Sequence, residues 1–402
     1  MRRMASVRRM KSFSQSPTDP GFVQNPYPFY DKARGSGDLF YWQDYGVVAA
    51  VSNRAVRTLF RDRRFGREVP PELAEQGPAH LAPWLAIEAH SLLEAEPPRH
   101  TRLRSLVMRA FTSRAISALQ PSIEDLCHGL IKDFPRNTFD LLEAYCTQVP
   151  VVTICRLLGV PEAMAPDLLQ WSHDMVAMYQ ANRTQDTEDR AAKSSREFTE
   201  FLKEYIELRR NDPRDDLITR LISAEEEGQK LSLDELVATC ILLLNAGHEA
   251  TVHSLGNGVK TLLQTRTAPD ALAPDGLDAT IEEILRYDPP LHMFTRYAYE
   301  DVDLFGHSFK RGDQVALLLG AANRDPAVWA EPHTFQPSRP IEVNTSFGGG
   351  IHFCVGAPLA RLEMRIALPI LFESCPNLKL AAPPLFSDSY HFHGLNQLLV
   401  RR

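Results

Sequence analysis

The chain has 402 residues, 44% hydrophobic and 24% charged, with a formal net charge of −7. These are the proportions of an ordinary globular enzyme, and the acidic balance argues against a nucleic-acid-binding protein. No run of about eighteen apolar residues is present, so no transmembrane helix and no membrane partner are expected. Six scattered cysteines without paired spacing, and no visible secretory signal, point to a reducing, cytoplasmic location.

In chain order, residues 1–20 open with a basic stretch followed by Ser, Pro, Asp and Gly, and are read as a disordered tail. Residues 21–402 show no dividing linker and are expected to form one large domain. Residues 38–52 alternate like a hairpin, with Leu39 and Tyr41, then Val47, Val48 and Val51. From about 100 to 265 the pattern is helical, with joints near Pro121, Pro135, Pro150, Pro161 and Pro213. The charged stretch 183–196 reads as a solvated connection and helix face. A long helix is expected over 233–264, opened by the Ser232/Glu235 capping-box pattern. Its apolar middle, residues 241–244, runs into Asn245, Ala246, Gly247, His248, Glu249, Ala250 and Thr251. Polar groups at the centre of a buried helix are costly, which points to a function. His248-Glu249 starts a zinc-protease look-alike, but the next histidine, His253, stands at i+5, about 140° around the helix. Glu283 and Arg286 share a face of a short helix that ends at Pro289-Pro290. A second strand-rich part covers about 295–320. The expected fold class is mainly α with small β-sheets.

The most specific stretch is 347–356. Three successive glycines allow a sharp turn that can run close to a flat partner. The turn delivers Cys354 just ahead of a helix start, with Pro358 in the first turn and helix expected over 359–370. A helix N-terminus aimed at sulfur favours thiolate, as an axial haem-iron ligand requires. Phe347, Gly350, Cys354 and Gly356 fill all four fixed positions of F-x-x-G-x-x-x-C-x-G. The loop therefore resembles the haem-ligand loop of the cytochromes P-450, and the likeness runs from about residue 25 to the C-terminus.

The resemblance implies a cytochrome P-450 fold holding haem b, with Cys354 as the iron ligand. The segment at 246–250 is similar to the family's distal A-G-x-[DE]-T. By that likeness Ala246 lies over the iron, Gly247 lets the helix bulge to make room for dioxygen, and Glu249 supplies protons. Ala250 departs from the family by replacing the usual threonine. Thr251 is about 100° away and does not simply substitute, so ordered water or a substrate hydroxyl is expected to complete the relay. His100 and Arg104 resemble an H-x-x-x-R element, and Arg296 an R-x-A strand. With His352 they are expected to hold the haem propionates. Glu283, Arg286 and Arg339 are expected to form a structural network behind the haem. The substrate pocket implied by the likeness draws on the loop from Leu81 to Leu93 and on Leu242, Asn245, Ala246, Leu291, His292, Phe294 and Leu395. This suits a medium-sized apolar molecule with a polar handle. The implied reaction is monooxygenation, hydroxylation or epoxidation. The implied partners are an iron–sulfur ferredoxin and an NAD(P)H-dependent reductase, docking by Arg102, Arg109, Arg361 and Arg365. A peroxide-driven haem-thiolate peroxygenase and a haem-binding sensor are the alternatives. Glu249 weighs against both.

Overall fold

The computed structural model describes residues 10–402, except 75, 181–182, 226–227 and 268–269. The protein is mainly α-helical, with small sheets of six, three, two and two strands among the described residues. The longest helix, Leu233–Thr265, has 33 residues and therefore runs about 50 Å. It packs against the helices Gln148–Leu158, Ala165–Val176, Gln185–Asn211, Pro274–Tyr287 and Ala357–Ser374. Its start carries the reciprocal cap the sequence predicts: the Glu235 amide donates to Ser232 Oγ at 3.2 Å, and the Ser232 amide donates to the Glu235 carboxylate at 2.9 Å.

The hairpin forms as Leu39–Trp42 and Val47–Ala50, with Tyr41 opposite Val48. Its alternation differs from expectation. Leu39, Phe40 and Trp42 are all buried, and Tyr41 is 40% exposed. The reason is that both faces of the hairpin are covered. Leu39, Val48 and Ala50 join a cluster with Phe60, Phe65 and Phe309. Phe40, Trp42 and Ala49 enter an aromatic cluster with Phe22, Phe29, Tyr30 and Tyr390. Of the basic tail expected over 1–20, residues 1–9 lie outside the described residues. Within the remainder, Ser12–Phe13 pair in parallel with Tyr41 and Trp42, and the Phe13 ring lies 5.7 Å from Phe40. The sheet thus begins inside the expected tail.

The strand-rich part near 295–320 closes the same sheet. Val315 pairs in parallel with Val48, and Gln314–Leu318 runs antiparallel to Met293–Ala298. Phe65–Gly66 then pairs with Tyr297 and Ala298. The helix after Cys354 is Ala357–Ser374, with Pro358 in its first turn, and it continues past residue 370 through Pro369. The charged stretch 183–196 lies largely on Gln185–Asn211. It is solvated on one side only, because Ala191, Ala192, Ser194 and Ser195 are buried.

Candidate functional site

Cys354 is held by the loop's own backbone. Its amide donates to the Phe347 carbonyl at 3.0 Å, and Gly348 N–H donates to Thr345 O at 2.9 Å. Gly348 and Gly350 have φ of +70° and +66°, a region open to glycine at little cost. At Gly350 space is decisive as well: a Cβ would stand 2.0 Å from the Phe60 carbonyl oxygen. Arg361 lies over the Phe347 ring at 4.4 Å, and Arg104 donates to the Phe353 carbonyl at 2.8 Å. Cys354 keeps accessible surface, yet burial pushes its thiol up, against the N–H groups of Gly356 and Ala357 and the charges of Arg104 and Arg361. A sulfur both accessible and desolvated lines a recess. The N–H groups of the helix start favour the thiolate as expected, but burial outweighs them. A coordinated cation makes the thiolate outright.

A cationic cluster stands beside this loop. His100 and His352 have ring centroids 4.4 Å apart. Burial, then the neighbouring charges of His352 and Arg104, hold His100 down at about 4. His352 Nε2 faces Glu96 at 2.8 Å. Arg296 is 2% exposed, and its guanidinium donates to the Thr295 carbonyl at 2.7 Å. Burial and the adjacent Arg67 charge push it down to about 9. Arg67 was not singled out in the sequence. The pairing of Phe65–Gly66 with Tyr297 and Ala298 brings it to Arg296, and its Nε is buried without a partner. Its only sequence signal is adjacency to a short strand.

The structure brings Glu283, Arg286 and Arg339 together. Arg286 donates twice to the Glu283 carboxylate, at 2.7 and 2.8 Å, and Arg339 Nε lies 3.3 Å from it. Arg286 also donates to the Asn323 carbonyl at 3.0 Å. The Asn323 side chain in turn accepts from the Thr345 amide at 2.7 Å and donates to Ser346 Oγ at 2.9 Å. This chain of bonds ends next to Phe347, so the pair steadies the cysteine loop through Asn323, to which the sequence alone attaches no role.

On the long helix, Ala246 has accessible surface and the helix is unbroken from 233 to 265. The bulge expected at Gly247 is absent. Gly247 instead abuts Ile154, with a Cβ position 3.3 Å from its side chain. Thr251 is buried and its hydroxyl faces the Gly247 carbonyl at 3.3 Å, which occupies it within its own helix. Ala250 leaves the alcohol position empty of any donor. Glu249 is surrounded by imidazoles: Nε2 of His173, His248 and His253 lie 3.5, 3.4 and 3.5 Å from its oxygens. Burial raises this carboxyl, but His248 and His253 hold it well below the usual carboxylate range. Asn245 points to the same neighbouring helix, with Nδ2 3.8 Å from Met175 Sδ and Oδ1 buried without a partner.

The expected pocket residues divide. Leu242, Asn245, Ala246 and Leu291 keep accessible surface. His292 does not: it is fully buried, with Nδ1 2.9 Å from the Tyr30 hydroxyl. Leu395 is buried in the main core, close to where a Cβ on Gly256 would stand. Phe294 packs near Gly348, under the Arg67 guanidinium at 5.6 Å, on the cysteine side.

Residues 77–273 and 276–380 match the family described as Cytochrome P450. The chain belongs to the cytochrome P450 family. Cytochrome P450 monooxygenase PikC of Streptomyces venezuelae is 35% identical over 393 residues, 94% of this chain and 92% of that protein. Vitamin D(3) 25-hydroxylase of Pseudonocardia autotrophica is 37% identical over 392 residues, 94% of each. The crystal structure of P450BioI with an acyl carrier protein ligated to hexadec-9Z-enoic acid superposes with TM-score 0.89 at 31% identity, covering 95% of this chain and 99% of that one. This P450 is an oxidoreductase with the fold of its family, and no helix among its described residues is long and apolar enough to cross a membrane.

Family membership implies haem b with an axial thiolate, and the donor set fits it. Cys354 offers sulfur in a recess. Beside it, buried Arg296 has a backbone carbonyl but no ion-pair partner among the described residues, and Arg67, paired with Glu94 at 2.5 Å, keeps a buried Nε free, donors that a pair of propionates would use.

Proposed function

We propose that this P450 inserts one atom of dioxygen into a medium-sized, largely apolar organic molecule, by hydroxylation or epoxidation. Electrons come from an iron–sulfur ferredoxin served by an NAD(P)H-dependent reductase. The observation that carries the reading is the desolvated, accessible Cys354 beside a buried cationic cluster. Cys354 would hold the iron. His100, Arg104, Arg296 and His352, joined by Arg67, would hold the propionates. The bound haem supplies the oxidising power. The chain supplies positions and protons. Glu249, anionic at neutral pH because of its histidines, accepts protons from the half-exposed His173 side and passes them inward.

Substrate chemistry is read from the accessible distal residues. Leu242, Ala246 and Leu291 offer apolar surface, and Asn245 is the polar side chain beside them, its Oδ1 buried without a partner among the described residues. Vitamin D(3) and a hexadecenoyl chain, in the names of the relatives, are apolar molecules of this kind with a polar end.

Docking arginines are already paired, Arg102 with Glu235, Arg361 with Glu282 and Arg365 with Asp278. The face is thus less positive than the sequence implies. The Arg365 pair is solvent-exposed and contributes at most about 1 kcal/mol, so a ferredoxin carboxylate can exchange for Asp278. Two measurements test the proposal. The carbon monoxide spectrum of the reduced protein should show the red-shifted band of a thiolate ligand, lost in Cys354→Ser; its absence in the native protein sinks the haem-thiolate reading. Arg365→Glu should slow reduction by ferredoxin and leave substrate affinity alone. Unchanged reduction rejects this docking face.

A further inference from the structure

The three imidazoles around Glu249 do more than surround a proton donor. His248 is 3% exposed, and its Nδ1 stands 2.8 Å from the Leu244 carbonyl. A carbonyl only accepts, so Nδ1 carries the hydrogen and donates. In the neutral ring, Nε2 then presents a lone pair. That Nε2 is buried without a hydrogen-bond partner and faces a carboxylate oxygen of Glu249 at 3.4 Å. Two lone pairs facing each other in a desolvated place need a positive charge between them, a proton on the ring or a metal ion.

His173, from the helix Ala165–Val176, brings a second imidazole to the same carboxylate oxygen, 3.5 Å away. The ligand atoms of His173, His248 and Glu249 all lie within 4.8 Å of one another. Ligand atoms about 2.0–2.1 Å from a tetrahedral zinc ion stand about 3.3–3.4 Å apart, close to the two spacings observed here. The His248 hydrogen bond to a backbone carbonyl is also the usual arrangement behind a metal-bound imidazole, because it fixes the tautomer. His253 faces the other Glu249 oxygen at 3.5 Å and orients the carboxylate. The second buried acid–histidine group, Asp288 with His292 and His393, differs: the Lys260 ammonium already pairs with Asp288.

We propose that His173, His248 and Glu249 form a zinc-binding site, two imidazoles and one carboxylate, with a fourth position open toward half-exposed His173. The ion occupies the lone pairs of the Glu249 carboxylate, so zinc inhibits dioxygen-dependent turnover. That consequence rests on the role given to Glu249 under Proposed function; the binding site does not.

The test is calorimetric titration of the untagged holoprotein with zinc chloride. One ion per chain is expected. His173→Ala lies at the rim and should fold normally, and it should weaken binding about ten-fold or more. His248→Gln should do the same, with the haem spectrum reporting whether it folds. His333→Ala, beside Asp31 instead, should leave binding unchanged. No saturable binding, or binding unaffected by His173→Ala, overturns the site. Zinc bound at this site with turnover unchanged leaves the site standing and overturns the proton-delivery role of Glu249.

Discussion

Two glycines of the cysteine loop have different reasons to be glycine. Gly350 combines φ of +66° with a Cβ position 2.0 Å from the Phe60 oxygen. Gly356 has φ of −78°, and its Cβ would meet Cys354 Sγ at an ordinary 3.7 Å. Gly350→Ala should therefore cost more than the about 1–2 kcal/mol of left-handed backbone alone and lower haem content. Gly356→Ala should stay within about 1 kcal/mol of native stability. Urea unfolding of the two variants makes the comparison; equal losses would show that the backbone angle is not the constraint. At the distal side, Thr251 is tied to the Gly247 carbonyl, so no side-chain alcohol stands ready beside Glu249. Restoring one with Ala250→Thr should change the coupling of NADH use to product little if water or a substrate hydroxyl already completes the relay. A large gain would show that the native relay is merely poor.

Among elements, the helix Pro274–Tyr287 acts on the cysteine loop at one remove. Glu283 and Arg286 are 3% and 2% exposed, and removing one partner strands the other charge. Arg286→Leu should cost about 3–5 kcal/mol. Asn323→Leu keeps the ion pair but cuts the bonds to Thr345 and Ser346. It should release haem faster than native protein with a smaller loss of stability. Equal stability losses in the two variants would mean that Asn323 is simply part of the core. The pair was legible in the sequence because i and i+3 share a helix face. Asn323 was not, because its partners come from a segment with no periodicity.

For the whole molecule, burial sets the response to acid. His391 is held down at about 4, chiefly by burial, against an ordinary value of about 6.5. The folded protein keeps it neutral while the unfolded chain takes up protons below pH 6.5. Stability is therefore intact above about pH 6.5 and is lost as pH falls toward 4. The thermal midpoint should drop over that window, and His391→Gln should flatten the drop. An unchanged profile in the variant would remove His391 from the account.

The sequence by itself determined the class of this P450, because its haem-ligand signature is a local pattern. Four fixed residues in ten, a helix start and an acid on the long helix all follow from spacing along one stretch of chain. The Glu283–Arg286 pair was visible for the same reason. Only the tertiary structure decided what required separate segments to meet. A short strand carries Arg67 to Arg296. The packing of the main core buries Leu395, and the Tyr30 contact buries His292, taking both out of the expected pocket. The H-E-x-x-H test failed along the helix because His253 stands at the wrong angle for His248. The donor set is completed instead across a helix–helix contact by His173, and no periodicity within one helix can reveal a ligand that arrives from another.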